Sequence, residues 1–359
     1  MVKTEKNKKS KITFKPGQVT KQLLGALPER SRDIIERRYG LVGSPRSGGV
    51  GKDNEPMTLE AIGQIYNITR ERVRQIENFA IATIRKSDQY AAAKIAFDEL
   101  EDLMMNYGGV VREDILLADI SNDLTTQNQV NFMLNIGESF VRLREDDDFR
   151  HRWTNDMETT EKVHGALTNL DGDLDSKDLI GEAEMLERFA EQLKSDIKDY
   201  LEHSKMKNWL GLSKRLASNP LGEWGLADSP GVRTRGVRDY AYLVLRQHGQ
   251  PLHFSDVAKK IKDIFGRDAH VATTHNELIK DSRFVLVGRG LYALSEWGYA
   301  NGVVRDIIKN VLKKSGPLNR EDLVKEVLKQ RQVKENTIYV NLQNSKHFHK
   351  DSKGKYALT

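Results

Sequence analysis

One architectural plan occurs three times after residue 90, and it commits the chain to a string of small modules instead of one large core. The plan is a helix, a short apolar strand, two further helices and a closing pair of strands. Its second copy reads "RDYAYLVLRQHG", "QPLHF", "SDVAKKIKDIFG", "HVATTHNELIKDS" and "RFVLVGRGLYALSEW". The third reads "VRDIIKNVLKKSG", "PLN", "REDLVKEVLKQRQ", "KENTIYVNLQNSK" and "HFHKDSKGKYALT". The closing aromatic-turn-Gly-Tyr-Ala-Leu pattern predicts a β-hairpin turning at Gly288–Gly290 or at Lys353–Gly354. Three helices and a hairpin make a winged helix-turn-helix. The first copy, from "FDELEDLMMNYGG" to "FVRLREDDDFRHRW", is diverged: Asp146–Asp148 stand where the others carry the turn glycine. An acidic wing repels phosphate, so this copy is expected to make protein contacts instead.

Ahead of the copies lies a second kind of signal. Residues 1–16 are Lys-rich without apolar periodicity and read as a basic disordered tail. Helical patterns follow at 18–25 and 28–39, then a Gly/Pro/Ser-rich loop, then helices over Thr58–Tyr66 and Thr69–Arg85, with Thr58 and Thr69 as N-caps. The join "YNI" is tight, which describes a helix-turn-helix. At 100° per residue, Val73, Ile76, Ala80 and Ile84 share one face, predicted to meet Leu59, Ile62 and Ile65. Arg70, Glu71, Arg74, Gln75 and Asn78 fall on the other faces, in the first turns of the second helix. Arg pairs with guanine, Gln with adenine, and Glu accepts from cytosine, so these types at a helix N-terminus suit a major groove.

Charge supports a polyanion partner at both ends. Residues 1–90 carry 18 Lys+Arg against 10 Asp+Glu, residues 91–230 carry 15 against 29, and residues 231–359 carry 24 against 13. The absence of cysteine excludes disulfides, thiolate chemistry and Cys-ligated zinc. No apolar run approaches membrane-spanning length and no signal-peptide pattern is visible, so a cytoplasmic, nucleoid-associated protein is expected. "SGGVGKD" falls short of a phosphate-binding loop, because Arg46 and Asp53 occupy positions that need Gly and Ser/Thr. "DGDLDSKDLIGE" spaces Asp171, Asp173, Asp175 and Glu182 as an EF-hand does, but Ser176 stands at the turn glycine, and an acidic linker is the preferred reading. His347 and His349 flank Phe348 with no visible third ligand. No enzyme, cofactor, metal, small-molecule substrate or membrane is therefore expected. The span 154–230 opens polar and acidic, then carries a helical stripe through Leu186, Phe189, Leu193, Ile197 and Leu201 within about residues 181–203; "LASNPLGEWGLADSPGVRTRG", 216–236, reads as a loop.

"LPERSRDIIERRYGL" followed by "MTLEAIGQIYNITRERVRQIENFAIATIRK" resembles region 4 of the sigma-70 factors of bacterial RNA polymerase, over about residues 26–86. The resemblance implies recognition of a −35-type promoter element in double-stranded DNA and docking on the flap of the polymerase core. Arg70, Glu71, Arg74 and Gln75 would read bases. Thr58, Leu59, Glu60 and Arg72 would touch the DNA backbone or neighbouring groups, and 27–41 would supply part of the polymerase-facing surface. Nothing before residue 26 resembles the remaining sigma domains, so a complete sigma factor is not expected. "PLHFSDVAKKI", "GRGLYAL", "PLNREDLVKEVL" and "NTIYVNLQNSKHFHKDSKGKYAL" resemble the HARE-type helix-turn-helix, as in the polymerase delta subunit.

Read directly, the third copy offers Lys334, Asn336, Thr337, Asn341, Gln343, Asn344 and Lys346 on its helix, and Lys350, Lys353 and Lys355 on its wing. The second offers His270, Thr273, Thr274, His275 and Asn276, with Arg289 on the wing. The expected architecture is mainly α and multi-domain: tail 1–16, sigma region 4-like helix-turn-helix 17–90, diverged winged helix 95–155, acidic and helical segment 156–230, and HARE-type winged helices 231–298 and 299–359. Three functions fit this architecture. The first is a sigma-like DNA-binding transcription regulator. The second is a delta-like polymerase accessory protein acting through protein contacts. The third is a DNA-targeting subunit of a restriction or repair system.

Overall fold

Helix signals dominate the sequence, and in the computed structural model the chain is mainly α with small antiparallel sheets. The structure describes residues 12–41, 54–175, 178–193, 202–299, 304–330 and 335–359. The chain divides into two units, one of Met1–Asp175 with Ile180–Ala217, the other of Ser176–Leu179 with Ser218–Thr359.

In the first unit, helices α1 (Pro16–Leu24), α2 (Glu29–Tyr39), α3 (Leu59–Tyr66) and α4 (Arg70–Arg85) precede α5 (Asp88–Ala92) and the first winged helix. That winged helix comprises α6 (Lys94–Asn106), β1 (Val110–Arg112), α7 (Glu113–Ile120), α8 (Leu124–Ile136), β2 (Val141–Leu143) and β3 (Arg152–Thr154). Its sheet has the order β1-β3-β2, with Val111 opposite Trp153 and Arg142 opposite Trp153 on the other side. The helix-turn-helix and this winged helix share one core. Leu23, Leu24 and Ile35 pack with Val130, Phe132, Met133 and Leu134 of α8, and Ala80 and Ile84 join them. α8 holds the position that reads nucleic acid in a winged helix, yet it is turned inward. Val130, Phe132, Met133, Leu134 and Ile136 are all fully buried, and α1 and α2 pack on the helix.

Polar contacts fix the same junction. Asn128, on α8, donates from Nδ2 to the carbonyls of Gly40 (3.0 Å) and Asn54 (2.7 Å). Arg85, in the last turn of α4, donates from Nε to the Ile136 carbonyl at 2.8 Å, closing the C-terminus of α8. Residues 12–16 do not belong to the expected free tail. Ile12 and Phe14 pack on the shared core, Thr13 Oγ1 donates to Glu99 at 2.9 Å, and α1 already begins at Pro16.

The middle of the chain is more structured than its composition predicts. α9 (Met157–Asp173) turns Val163, Ala166, Leu167 and Leu170 inward, so the acidic character belongs to the outer face of a packed helix. Asp171 and Asp173 therefore sit on the last turn of α9, where Asp171 pairs with Arg215 (3.1 Å) and Asp173 accepts from Gln192 (2.9 Å). α10 (Glu182–Gln192) buries Leu186 and Phe189, as the stripe predicted, with Met185 beside them, and Leu193 is buried just after it; Ile197 and Leu201 lie outside the described residues. α11 (His203–Leu210), starting where the predicted helical span ends, packs against β1. Trp209 lies so close over Gly108 (φ +84°) that a Cβ there would meet its ring at 2.5 Å. The predicted loop 216–236 contains two short strands, β4 (Leu216–Ser218) and β5 (Trp224–Leu226).

The second unit holds the two similar copies. α12 (Val237–His248), β6 (Leu252–His253), α13 (Phe254–Phe265), α14 (Val271–Lys280), β7 (Phe284–Leu286) and β8 (Leu291–Leu294) enclose a core around Val244, Leu245, Ile261 and Tyr292. The strands form a sheet of order β6-β8-β7, and the wing turns at Gly290 (φ +68°), within the predicted turn. α15 (Val304–Ser315), α16 (Arg320–Gln330), α17 (Glu335–Leu342), β9 (Phe348–Lys350) and β10 (Tyr356–Leu358) repeat the plan around Ile307, Val311, Leu323 and Ile338. The turn falls at Gly354 (φ +77°), and a Leu318–Tyr356 bridge stands in for the first strand.

Candidate nucleic-acid interface

Two threonine caps and one glycine build the helix-turn-helix. Thr58 Oγ1 accepts from the Ala61 N–H (3.1 Å), and Thr69 Oγ1 accepts from the Arg72 N–H (3.2 Å), each satisfying a donor that a helix start leaves open. Between them Asn67 takes the left-handed conformation (φ +52°), and the Ile68 N–H returns to the Gly63 carbonyl at 2.9 Å. The turn is so tight that a Cβ on Gly63 would lie 2.6 Å from the Ile68 carbonyl oxygen. Ile34, Ile62 and Val73 form the core of the motif, with Met57, Leu59, Tyr66, Ile68 and Ile76 around them.

This packing corrects two expectations. Leu59 packs against the core as its predicted place opposite α4 requires, which leaves the DNA contact that the resemblance also gave it to the backbone of its turn. Ile65, predicted to face α4, is 43% exposed. It lies about 60° from Ile62 around the helix, on the far side from Leu59, and Tyr66 takes the inner place.

Burial of Val73, Ala80 and Ile84 leaves Arg70, Glu71, Arg72, Arg74, Gln75 and Asn78 exposed, and nothing among the described residues covers them. Thr58 and Glu60 are exposed beside them. This exposed edge is internally bonded. Arg74 grips Glu71 with both arms of its guanidinium (Nε–Oε2 2.9 Å, Nη2–Oε1 2.7 Å), and Arg72 donates to Gln75 Oε1 at 3.1 Å. The Arg74 hydrogen bonds hold the Glu71 carboxyl below its ordinary range, and Glu71 raises Arg74 in turn. Both side chains are more than half exposed, so the pair is screened by solvent and weakly held. Beneath this edge, Arg38 meets Glu77 at 3.3 Å, and burial together with Glu77 drives the Tyr39 hydroxyl pKa strongly upward.

Phe79 was not among the predicted residues. It is 65% exposed, one turn beyond Gln75. The helical wheel that places Val73, Ala80 and Ile84 inside already places it outside.

Of the predicted polymerase-facing stretch 27–41, only Pro28, Glu29 and Arg30 are exposed. Leu27, Ile35 and Leu41 pack into the core shared with α8. The acidic wing of the first winged helix is also engaged within the chain. Glu145 pairs with Lys214 (2.9 Å), and Asp146 accepts from Arg152 (3.1 Å) and from the Phe149 N–H (2.6 Å).

The two later copies differ from each other. On α14, Thr273 and Asn276 are exposed, as are His270 before it and Arg289 at the wing tip. Thr274 is a correction: it is fully buried, and its hydroxyl donates to the His270 carbonyl at 3.1 Å, so it supports the helix from inside. His275 is half-buried and stacked on Phe254, with ring centroids 4.3 Å apart. On α17, Asn336 and Thr337 are exposed, whereas Asn341 is half-buried and donates to the Thr337 carbonyl (2.7 Å). Gln343, Asn344 and Lys346 lie exposed beyond it; Lys334 is outside the described residues. Lys350, Lys353 and Lys355 line an exposed wing, its turn fixed by Asp351 Oδ1 accepting from the Lys353 and Lys355 N–H groups. Beside the wing, His347 is held below the usual imidazole range by desolvation and by Lys309 and Arg305. "SGGVGKD" spans 47–53, outside the described residues.

Comparison with known proteins agrees with these two motifs. Residues 23–86 match the family described as sigma-70, region 4. Residues 236–297 match HARE-HTH, a helix-turn-helix domain described by its occurrence in ASXL and restriction endonuclease proteins. Over 53 residues the chain is 43% identical to RNA polymerase sigma factor SigA of Nostoc sp.. That match covers 15% of this chain and 11% of the relative. The chain thus carries a sigma-70 region 4 segment and, in its second unit, a HARE-type helix-turn-helix.

Proposed function

We propose that this protein is a sigma-like, DNA-binding transcription regulator that reads promoter DNA, a −35-type element, by laying the start of α4 in the major groove. The observation that carries the reading is the open edge of α4, where Arg70, Glu71, Arg74, Gln75 and Asn78 all face outward from a capped helix-turn-helix. Thr58, Glu60 and Arg72 flank it and suit backbone contacts. The lysine wing of the third winged helix adds a sequence-independent phosphate contact, and linkage of the two sites in one chain raises their combined affinity. Contact with the flap of core RNA polymerase, where it is made through 27–41, rests on Pro28, Glu29 and Arg30. The protein acts in the cytoplasm on nucleoid DNA.

The test is site selection from random duplexes by the full-length chain, repeated with Arg74→Ala/Gln75→Ala. The double variant is expected to lose sequence preference while retaining salt-dependent binding to any duplex. A double variant that selects the same site would overturn the reading. Co-purification of core polymerase with the wild type, and its loss in Glu29→Ala/Arg30→Ala, tests the polymerase contact separately.

A further inference from the structure

Phe79 is an exception on this surface. Its ring is 65% exposed, and its exposed helical neighbours are polar or small: Arg72 two turns back, Gln75 one turn back and Ala82 one turn on; Ile76, also one turn back, is half-buried against the helix-turn-helix core. The Thr83 hydroxyl donates to the Phe79 carbonyl at 2.8 Å, which directs that side chain toward the backbone and away from the ring. No other large apolar side chain of α4 is exposed, since Ile76 packs against the core, so this is not the broad apolar patch on which a protein partner docks. It is a single aromatic group set in a stripe of hydrogen-bonding and cationic residues. It lies in line with Gln75, which itself is joined to Arg72.

Duplex DNA presents one apolar group in the major groove, the 5-methyl of thymine, and a phenyl ring is among the side chains that contact it. Arg70 to Phe79 spans nine residues of helix, about 13 Å, which is close to four base-pair steps. We propose that Phe79 is a specificity-determining residue that selects thymine at the edge of the recognised site, next to the base pair met by Gln75. This rests on the DNA-reading role of α4 proposed above and extends it from hydrogen bonds to a methyl contact.

The experiment replaces thymines in the selected duplex, one at a time, by deoxyuridine, which removes only the methyl group. Binding of full-length wild type is expected to weaken about four-fold at one position, the worth of one buried methyl. Phe79→Ala should bind thymine and uracil duplexes equally at that position, and Phe79→Tyr should keep the preference. Because the ring is exposed, the circular dichroism and urea midpoint of Phe79→Ala should match wild type. Wild type indifferent to every methyl, or a methyl preference that survives Phe79→Ala, overturns this inference alone. A wild-type chain that selects no duplex overturns the DNA-reading proposal and this one with it.

Discussion

Two glycine-to-alanine changes within the first unit should move stability in opposite directions. Gly165 lies on an exposed face of α9, and a Cβ there meets nothing within 4 Å. Alanine in such a helix interior is worth about 1 kcal/mol over glycine, so Gly165→Ala should stabilise by about that amount. Gly63 is also helical, and the same propensity gain applies. Its Cβ, however, would sit 2.6 Å from the Ile68 carbonyl oxygen and 3.5 Å from the Arg70 nitrogen. Those are backbone atoms at the α3–α4 turn and cannot rotate away, so relief requires the two helices to separate. Overpacking of this kind costs about 2–3 kcal/mol, leaving a net loss of about 1–2 kcal/mol and a gap of about 2–3 kcal/mol between the variants. Urea unfolding of the full-length chain, followed by the signal of the first unit, gives both values at unchanged slope. Gly63→Ala should also weaken duplex binding, because α4 is displaced relative to the Thr58 turn. If Gly63→Ala is as stabilising as Gly165→Ala, the tight turn does not exist and the argument fails.

Asn128→Ala should destabilise the first unit by about 1–3 kcal/mol, since the Gly40 and Asn54 carbonyls lose a buried donor, and Asn128→Asp should cost more by setting a carboxylate against them; urea midpoints decide. His164 accepts from Arg152 Nε at 2.9 Å and stacks on Phe149; burial, then Arg152, lowers its pKa from 6.5 to about 4. A depressed histidine favours folding fully above pH 6.5 and loses that contribution as pH falls toward 4, by about 1–2 kcal/mol after discounting for the solvent that reaches the ring. Midpoints measured from about pH 7.5 down to about 4.5 should show the decline, and His164→Gln should flatten it. Lys353→Ala should lower the slope of log binding constant against log salt by about one for a non-specific duplex, with an equal loss of affinity across sequences; an unchanged slope would remove the wing from the interface.

Much of the helix-turn-helix and of the wings was legible in the residues because it is written in short-range chemistry. Thr58 and Thr69 cap the helices they were predicted to cap, Val73, Ala80 and Ile84 lie inside, and both glycine wings turn where the pattern indicated. Hydrogen-bonding side chains three residues from a donor, 3.6-residue periodicity and glycines at positive φ are properties of a few neighbouring residues, so a linear reading finds them. The exposure of Phe79 could be read the same way.

Tertiary structure decided which faces remain open. α8 has the pattern of a reading helix, but α1 and α2 cover it, and that depends on segments about a hundred residues apart in the chain. The polar span after residue 156 became a packed helix because a stripe of only a few apolar residues suffices once α10 lies against it. Thr274 and Asn341 look like base readers in one dimension, and each commits a polar group to its own helix instead. Local sequence specifies the helices, caps and turns through nearest neighbours. Whether a polar side chain meets solvent, DNA or another helix is set by desolvation against distant partners, which only the folded arrangement brings together.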